Sequence, residues 1–221
     1  MVSLDSATRH KIAGMVNQLC ADFEGSLARP QIEHVMDDSV TRMLETAQVV
    51  DFVPLMAYRF ARERLQALGR AGGHRADEAL DVVFVSLSGG GRGQMAAALT
   101  TLLSEGRVSV HSAGTAARSD LDPGVRSVIA ELGVDPDEAF ARPVTDEVLQ
   151  AANVIVTMGH SVGVIDIPLH ARHEDWRVGD PIGAPLAEMR RVRGDIEHRV
   201  RTLLADLGIA VGGARGASVS A

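Results

Sequence analysis

The chain changes its hydrophobic rhythm once. Over residues 6–69 the apolar positions recur every three or four residues, the spacing of amphipathic helices. Ile12, Met15, Val16, Leu19 and Phe23 form a first stripe. Ile32, Val35, Met36, Val40 and Met43 form a second, with Pro30 placed for a first helical turn. Phe52, Met56 and Phe60 form a third after Asp51, read as an N-cap, and Gly69 closes that helix. The stretch RAGGHRADEA, residues 70–79, is small and polar with a Gly-Gly pair, which marks a linker. Beyond it, short apolar runs alternate with helical segments. Strands are expected at Val82–Val85, Val108–His111 and Val154–Thr157. Helices are expected at Gln94–Leu103, Asp122–Leu132, Thr145–Ala151 and Pro185–Leu207, the last with Met189, Val192, Ile196, Val200 and Leu203 on one face.

Strand–helix alternation predicts an α/β fold, a doubly wound parallel sheet covered on both faces, preceded by a small all-α three-helix domain. The expected division is a helical bundle over 1–70, a linker over 71–80, an α/β domain over 81–208 and a flexible tail over 209–221. About 64 residues in three helices make only a thin core, and such a unit often needs a partner surface. A homodimer through residues 6–69 is the expectation, with core packing as the plainer account of the Met and Phe stripe.

Composition narrows the partners. The chain has 221 residues, a formal charge of −7 and no basic block, which argues against a nucleic-acid surface. No apolar run approaches the ~20 residues of a membrane-spanning helix, and MVSLDSATRHK has no apolar stretch behind a basic start, so a cytoplasmic location is expected. The one cysteine, Cys20, lies on a helical stripe and excludes an intrachain disulfide. It is read as a small buried hydrophobe.

The chemistry concentrates in DVVFVSLSGGGRGQMAAAL. A strand ends at Val85, a loop runs from Ser86 through Leu87, Ser88, Gly89, Gly90 and Gly91 to Arg92, and a helix starts near Gly93. Ligands of open parallel sheets bind at the carboxyl ends of strands. A helix start there offers unpaired N–H groups and the positive end of the dipole. Three glycines let the backbone wrap round an anion, and Arg92 can add a bidentate contact. The loop therefore fits a phosphate-, sulfate- or arsenate-sized anion, with a plain tight turn as the alternative. It is not a Walker loop, because the GK[ST] ending is missing.

Residues 86–92 resemble the Cys-x5-Arg loop of the low-molecular-weight protein tyrosine phosphatase and thioredoxin-type arsenate reductase superfamily. Gln94-Met95-Ala96 continues as in that superfamily. Ser112-Ala113-Gly114-Thr115 looks like its turn after the second strand, Val156-Thr157-Met158-Gly159 like its strand end, and Glu174-Asp175-Trp176 with Asp180-Pro181 like its late acidic loop. The matches run in order over roughly residues 80–207. The resemblance implies protein tyrosine phosphatase or arsenate reductase activity, with the nucleophile at Ser86, the anion held by residues 86–93, and the general acid at Asp180.

The departures are equally specific. Serine stands at the cysteine position, Gly89 replaces the loop asparagine, and Gly93 replaces the hydroxyl residue after the arginine. The relay cysteines of arsenate reductases are absent, with His160 and Val164 around those places. A helix N-terminus and an arginine can lower a thiol pKa by several units, but a serine hydroxyl starts far higher. Rescue would need a base, for which His111 and His160 are the candidates near strand ends. His160, His170 and His173 are too irregularly spaced to suggest a metal site, and no cofactor is expected. The leading expectation is a non-catalytic, oxyanion-binding or regulatory interaction module. A weak phosphomonoester hydrolase using Ser86 or water is the alternative, and a dimeric structural protein with an empty loop is the third.

Overall fold

The computed structural model describes residues 4–47, 50–71, 80–88, 91–116, 121–136, 142–159 and 165–212. Three helices open the chain: α1 (Ser6–Asp22), α2 (Arg29–Thr46) and α3 (Val53–Ala71). Asp5 caps α1 by accepting the Thr8 N–H at 2.7 Å, and Pro30 sits in the first turn of α2, where its missing N–H costs nothing. The α2 stripe Ile32, Val35, Met36, Val40 and Met43 is buried throughout. It meets Ile12, Val16 and Leu19 of α1 and Val53, Ala57, Phe60, Ala61 and Leu65 of α3 in one core.

The third helix departs from expectation at both ends. Val50–Phe52 forms a 3₁₀ turn, so Asp51 lies within it and does not cap α3. Phe52 is 62% exposed, and Val53 begins the buried face instead. The helix also runs through Gly69 to Ala71. Glycine weakens a helix by only about 1 kcal/mol, too little to end one by itself.

The α/β region contains β1 (Leu80–Ser86), α4 (Arg92–Ser104), β2 (Val108–Gly114), α5 (Pro123–Ala130), α6 (Asp146–Ala151), β3 (Val154–Met158), β4 (Arg172–Trp176) and α7 (Leu186–Asp206). All four strands are parallel, in the order β2-β1-β3-β4. The chain steps from β1 outward to β2, then crosses to β3 on the other side. The switch point therefore lies at the carboxyl end of β1, where Ser86 aligns with both Gly114 and Met158. The fourth strand was not expected from the sequence. RHEDW is polar and forms an edge strand, in which only Trp176 is buried; its ring meets Phe84 at 5.7 Å between centroids.

One sheet face packs Val82, Phe84, Val154, Val156 and Met158 against α4, α5 and α7, including the whole Met189–Leu203 stripe of α7. The opposite face, Val83, Val85 and Ile155, packs against Val148 and Leu149 of α6 and against Ala67 of α3. The double winding is therefore completed by a helix of the N-terminal unit. Three ion pairs fasten this contact: Arg64 Nη2 to Glu147 at 2.7 Å, Arg142 to Glu63 at 2.9 Å, and Arg70 Nε to Asp81 at 2.8 Å. The expected linker lies, over residues 72–79, outside the described residues. Of the tail expected over residues 209–221, the structure describes 209–212. Ile209 and Val211 pack on the sheet core, and the Gly212 N–H donates to Leu103 O at 2.8 Å, while 213–221 lie outside the described residues. Among the described residues, no helix is long and apolar enough to cross a membrane.

Candidate oxyanion site

The loop after β1 is tied at its start. The Thr115 N–H donates to Ser86 O at 3.1 Å, and the Ala116 N–H to Leu87 O at 2.7 Å. These bonds turn the chain out of the strand at the sheet's carboxyl edge. Ser86 is 2% exposed, whereas Leu87 faces the opening. Gly89 and Gly90 lie outside the described residues. Gly91 caps α4 and sits under the late loop, with room for no more than a tight contact: a Cβ there would lie 3.3 Å from both Pro181 and Ile182. Arg92 opens α4, so its side chain leaves from the positive end of that helix.

Arg92 is 12% exposed and is folded across the end of β3. Its Nη1 donates to Val178 O at 3.2 Å, and its Nη2 reaches Asp180 Oδ2 at 3.5 Å. Gly159, at φ +93°, makes this path possible, since a Cβ there would stand 2.7 Å from Arg92 Nη1. Gly159→Ala should therefore both strain the backbone, by roughly 1–2 kcal/mol, and push the guanidinium aside. Denaturant midpoints combined with phosphate affinity check this. Lower stability with unaltered affinity would mean that Arg92 does not depend on this glycine.

Asp180 works on two sides. Its Oδ1 accepts the Ile182 N–H at 3.2 Å, closing the turn, while Oδ2 pairs with Arg92. It thus closes the turn and pairs with Arg92 at once. Leu87, Arg92, Met158, Gly159, Arg177, Val178 and Asp180 line a cleft of about 430 Å³. This cleft brings together three of the residues singled out from sequence: Leu87, Arg92 and Asp180. Ser86 and Gly93 are buried beneath the loop, and Ser88 continues it.

Gly93 packs against two hydroxyls. A Cβ there would lie 2.7 Å from Ser112 Oγ and 3.5 Å from Ser86 Oγ. A hydroxyl side chain at 93 would thus stand next to Ser86, and Ser112 would have to turn to admit it. Arg177 escaped the sequence reading because it belongs to no motif. Its guanidinium is exposed at the cleft rim, 3.7 Å from Asp175, and adds a second positive group.

The candidate bases fare differently. His111, in β2 opposite Val83, turns its ring toward the start of β1 and away from Ser86: its Nε2 lies 3.6 Å from Asp81 Oδ1, 3.3 Å from Ser109 Oγ and 3.4 Å from Arg70 Nη2. Asp81 and Ser86 are five residues apart on one strand, roughly 16 Å. Burial pushes the Asp81 carboxyl up, but hydrogen bonds from His111 and Ser109 and the charge of Arg70 hold it below its ordinary value. His160 and Val164 lie outside the described residues. His173 contacts Thr157 Oγ1 at 3.0 Å, and His170 is exposed. Among the described residues, no group of three or more His, Cys, Asp or Glu could hold a metal ion.

Residues 81–211 match the family described as low molecular weight phosphotyrosine protein phosphatase. Residues 12–69 match the protein-tyrosine-phosphatase-like N-terminal domain. A putative arsenate reductase of Halobacterium salinarum is 31% identical over 130 residues, 57% of this chain and 91% of that protein. A thioredoxin-dependent arsenate reductase of Corynebacterium glutamicum superposes with a TM-score of 0.80 at 28% identity, over 90% of this chain and 97% of that one. An arsenate reductase in its phosphate-binding state superposes with a TM-score of 0.51 at 27% identity, over 57% of this chain and 98% of that one. The chain therefore belongs to the low molecular weight phosphotyrosine protein phosphatase family, here preceded by a protein-tyrosine-phosphatase-like N-terminal domain.

Proposed function

We propose that this chain is a non-catalytic member of its family, an oxyanion-binding module in which the cradle persists without the thiol. The observation that carries the reading is the placement of sulfur. The chain's one cysteine, Cys20, packs against the helical core of α1–α3, and Ser86 stands where the loop leaves β1. Arsenate reduction needs thiol electrons, and the α/β region has no thiol to supply them. Phosphate transfer to the protein needs a nucleophile ionised near neutral pH, a state open to a thiol at a helix N-terminus but remote for a hydroxyl.

Binding makes smaller demands. Arg92, the amides at the start of α4 and Arg177 remain around a cleft large enough for a tetrahedral anion. The similar arsenate reductase in a phosphate-binding state supports inorganic phosphate as the probe. A second reading, slow hydrolysis by Ser86 or water, draws support from Asp180, which lines the same cleft as Arg92. Calorimetric titration of phosphate, sulfate and arsenate into the full chain tests the binding claim. Saturable uptake of one of them is the expected result; no heat of binding at millimolar anion would sink the reading.

A further inference from the structure

Contacts link the start of the loop after β1 to the helical unit. Ser86 O and Leu87 O accept from the Thr115 and Ala116 amides, which follow directly on Gly114. Gly114 is itself held by a segment outside the named strands. Its N–H donates to Arg142 O at 2.7 Å, and its carbonyl accepts the Val144 N–H at 3.2 Å, with Pro143 bridged alongside in parallel. Adjacent residues of α3 reach the start of that segment and the helix that follows it. Glu63 Oε1 takes Arg142 Nη2 at 2.9 Å, with both side chains largely buried, and Arg64 Nη2 reaches Glu147 in α6 at 2.7 Å.

We propose that the Glu63–Arg142 ion pair is a strut through which the helical unit sets the geometry of the anion-binding loop, Glu63 and Arg142 being positioning residues that never touch the ligand. The proposal rests on the anion-binding reading above. A contiguous path of contacts runs from Glu63 through Arg142, Gly114 and the Thr115–Ala116 amides to Ser86 and Leu87. The two carbonyls fix the peptide planes that carry the Leu87 and Ser88 N–H groups, where the loop begins. Removing the Glu63 charge takes one partner from the largely buried Arg142 guanidinium and loosens the hold on the segment that clasps Gly114. Substitutions along such networks change coupling enough to alter affinity by about two- to thirty-fold.

The test uses the full chain and two readouts. In Glu63→Gln, amide exchange at Thr115 and Ala116 should quicken about two- to thirty-fold while Val83 and Phe84 in the centre of β1 keep their rates. Phosphate affinity should fall within the same range. The double variant Glu63→Arg with Arg142→Glu should restore both, and the milder Glu63→Asp covers the case in which Glu63→Gln folds poorly. Unchanged exchange at Thr115 and Ala116 would overturn the strut, as would a rise matched at Val83 and Phe84. If the unmodified chain takes up no phosphate, the binding reading fails by itself, and the exchange rates still decide the strut.

Discussion

Arg92→Ala is expected to weaken phosphate binding by roughly 10- to 150-fold. The figure follows from the ~1.5–3 kcal/mol of a hydrogen bond to a charged group, since each 1.4 kcal/mol is a factor of ten. The direction follows from geometry. Arg92 is the largely buried cation of the cleft, anchored at the positive end of α4 and laid over Gly159. Its guanidinium is engaged by Val178 O and by a long, 3.5 Å contact to Asp180. Asp180 is 58% exposed, so this pair is mostly solvent-screened and contributes little to stability. An incoming anion exchanges one weak partner for a stronger one. Asp180→Asn should accordingly tighten phosphate binding a few-fold, because it removes the competing charge. Calorimetric titrations of the two variants check both directions. Equal affinities in the wild type and Arg92→Ala would place the anion elsewhere.

Arg64→Ala should destabilise the chain by about 3–5 kcal/mol, the usual cost of removing one partner of a buried ion pair. Its side chain is 5% exposed and joins three helices. Nη1 donates to Asp38 Oδ2 at 2.7 Å and to Ser39 Oγ at 3.0 Å in α2, Nη2 meets Glu147 in α6, and the guanidinium lies 5.3 Å from the Phe60 ring centre. Removing it empties the joint between the helical unit and the sheet and leaves two partly buried carboxylates. Urea midpoints measure the loss; a cost below about 1 kcal/mol, the value of a surface pair, would show the joint to be solvated.

The same joint sets an acid limit. Burial pushes the Asp38 and Glu147 carboxyls up, but hydrogen bonds from Arg42 and Arg64 to Asp38, and from Arg64 to Glu147, hold both below their ordinary values. Groups depressed in the folded state stabilise it above their unfolded pKa, near 4, and lose that contribution as pH falls through the lower folded value. Stability should therefore decline below about pH 4, and Arg64→Ala should flatten that part of the profile.

These two arginines mark the boundary of what the sequence made legible. The stripes of α2 and α7 were readable because period-3.6 burial leaves an unbroken apolar row. Arg92 and Asp180 were readable because their positions follow a motif order. Arg64 was not, because an arginine among the polar positions of an amphipathic helix gives no sign of facing α6 rather than water. The role of α3 as a cover for the sheet was hidden for a related reason. Its buried contact there is Ala67, a small residue that adds nothing to a hydrophobic stripe. The β4 strand was missed because Arg172, His173, Glu174 and Asp175 carry no strand alternation, and edge pairing by backbone supplies what the side chains do not advertise. The misplaced start of α3 reflects local competition. Asp51 is a good cap by type, but Val53 rather than Phe52 fits the helical core.

Aryl-phosphate turnover by the full chain is the most direct test of a cradle without its nucleophile. No turnover by the unmodified chain above that of Arg92→Ala is expected. Turnover by the unmodified chain that disappears in Arg92→Ala would contradict it, because Ser86 or a held water would then be performing the chemistry.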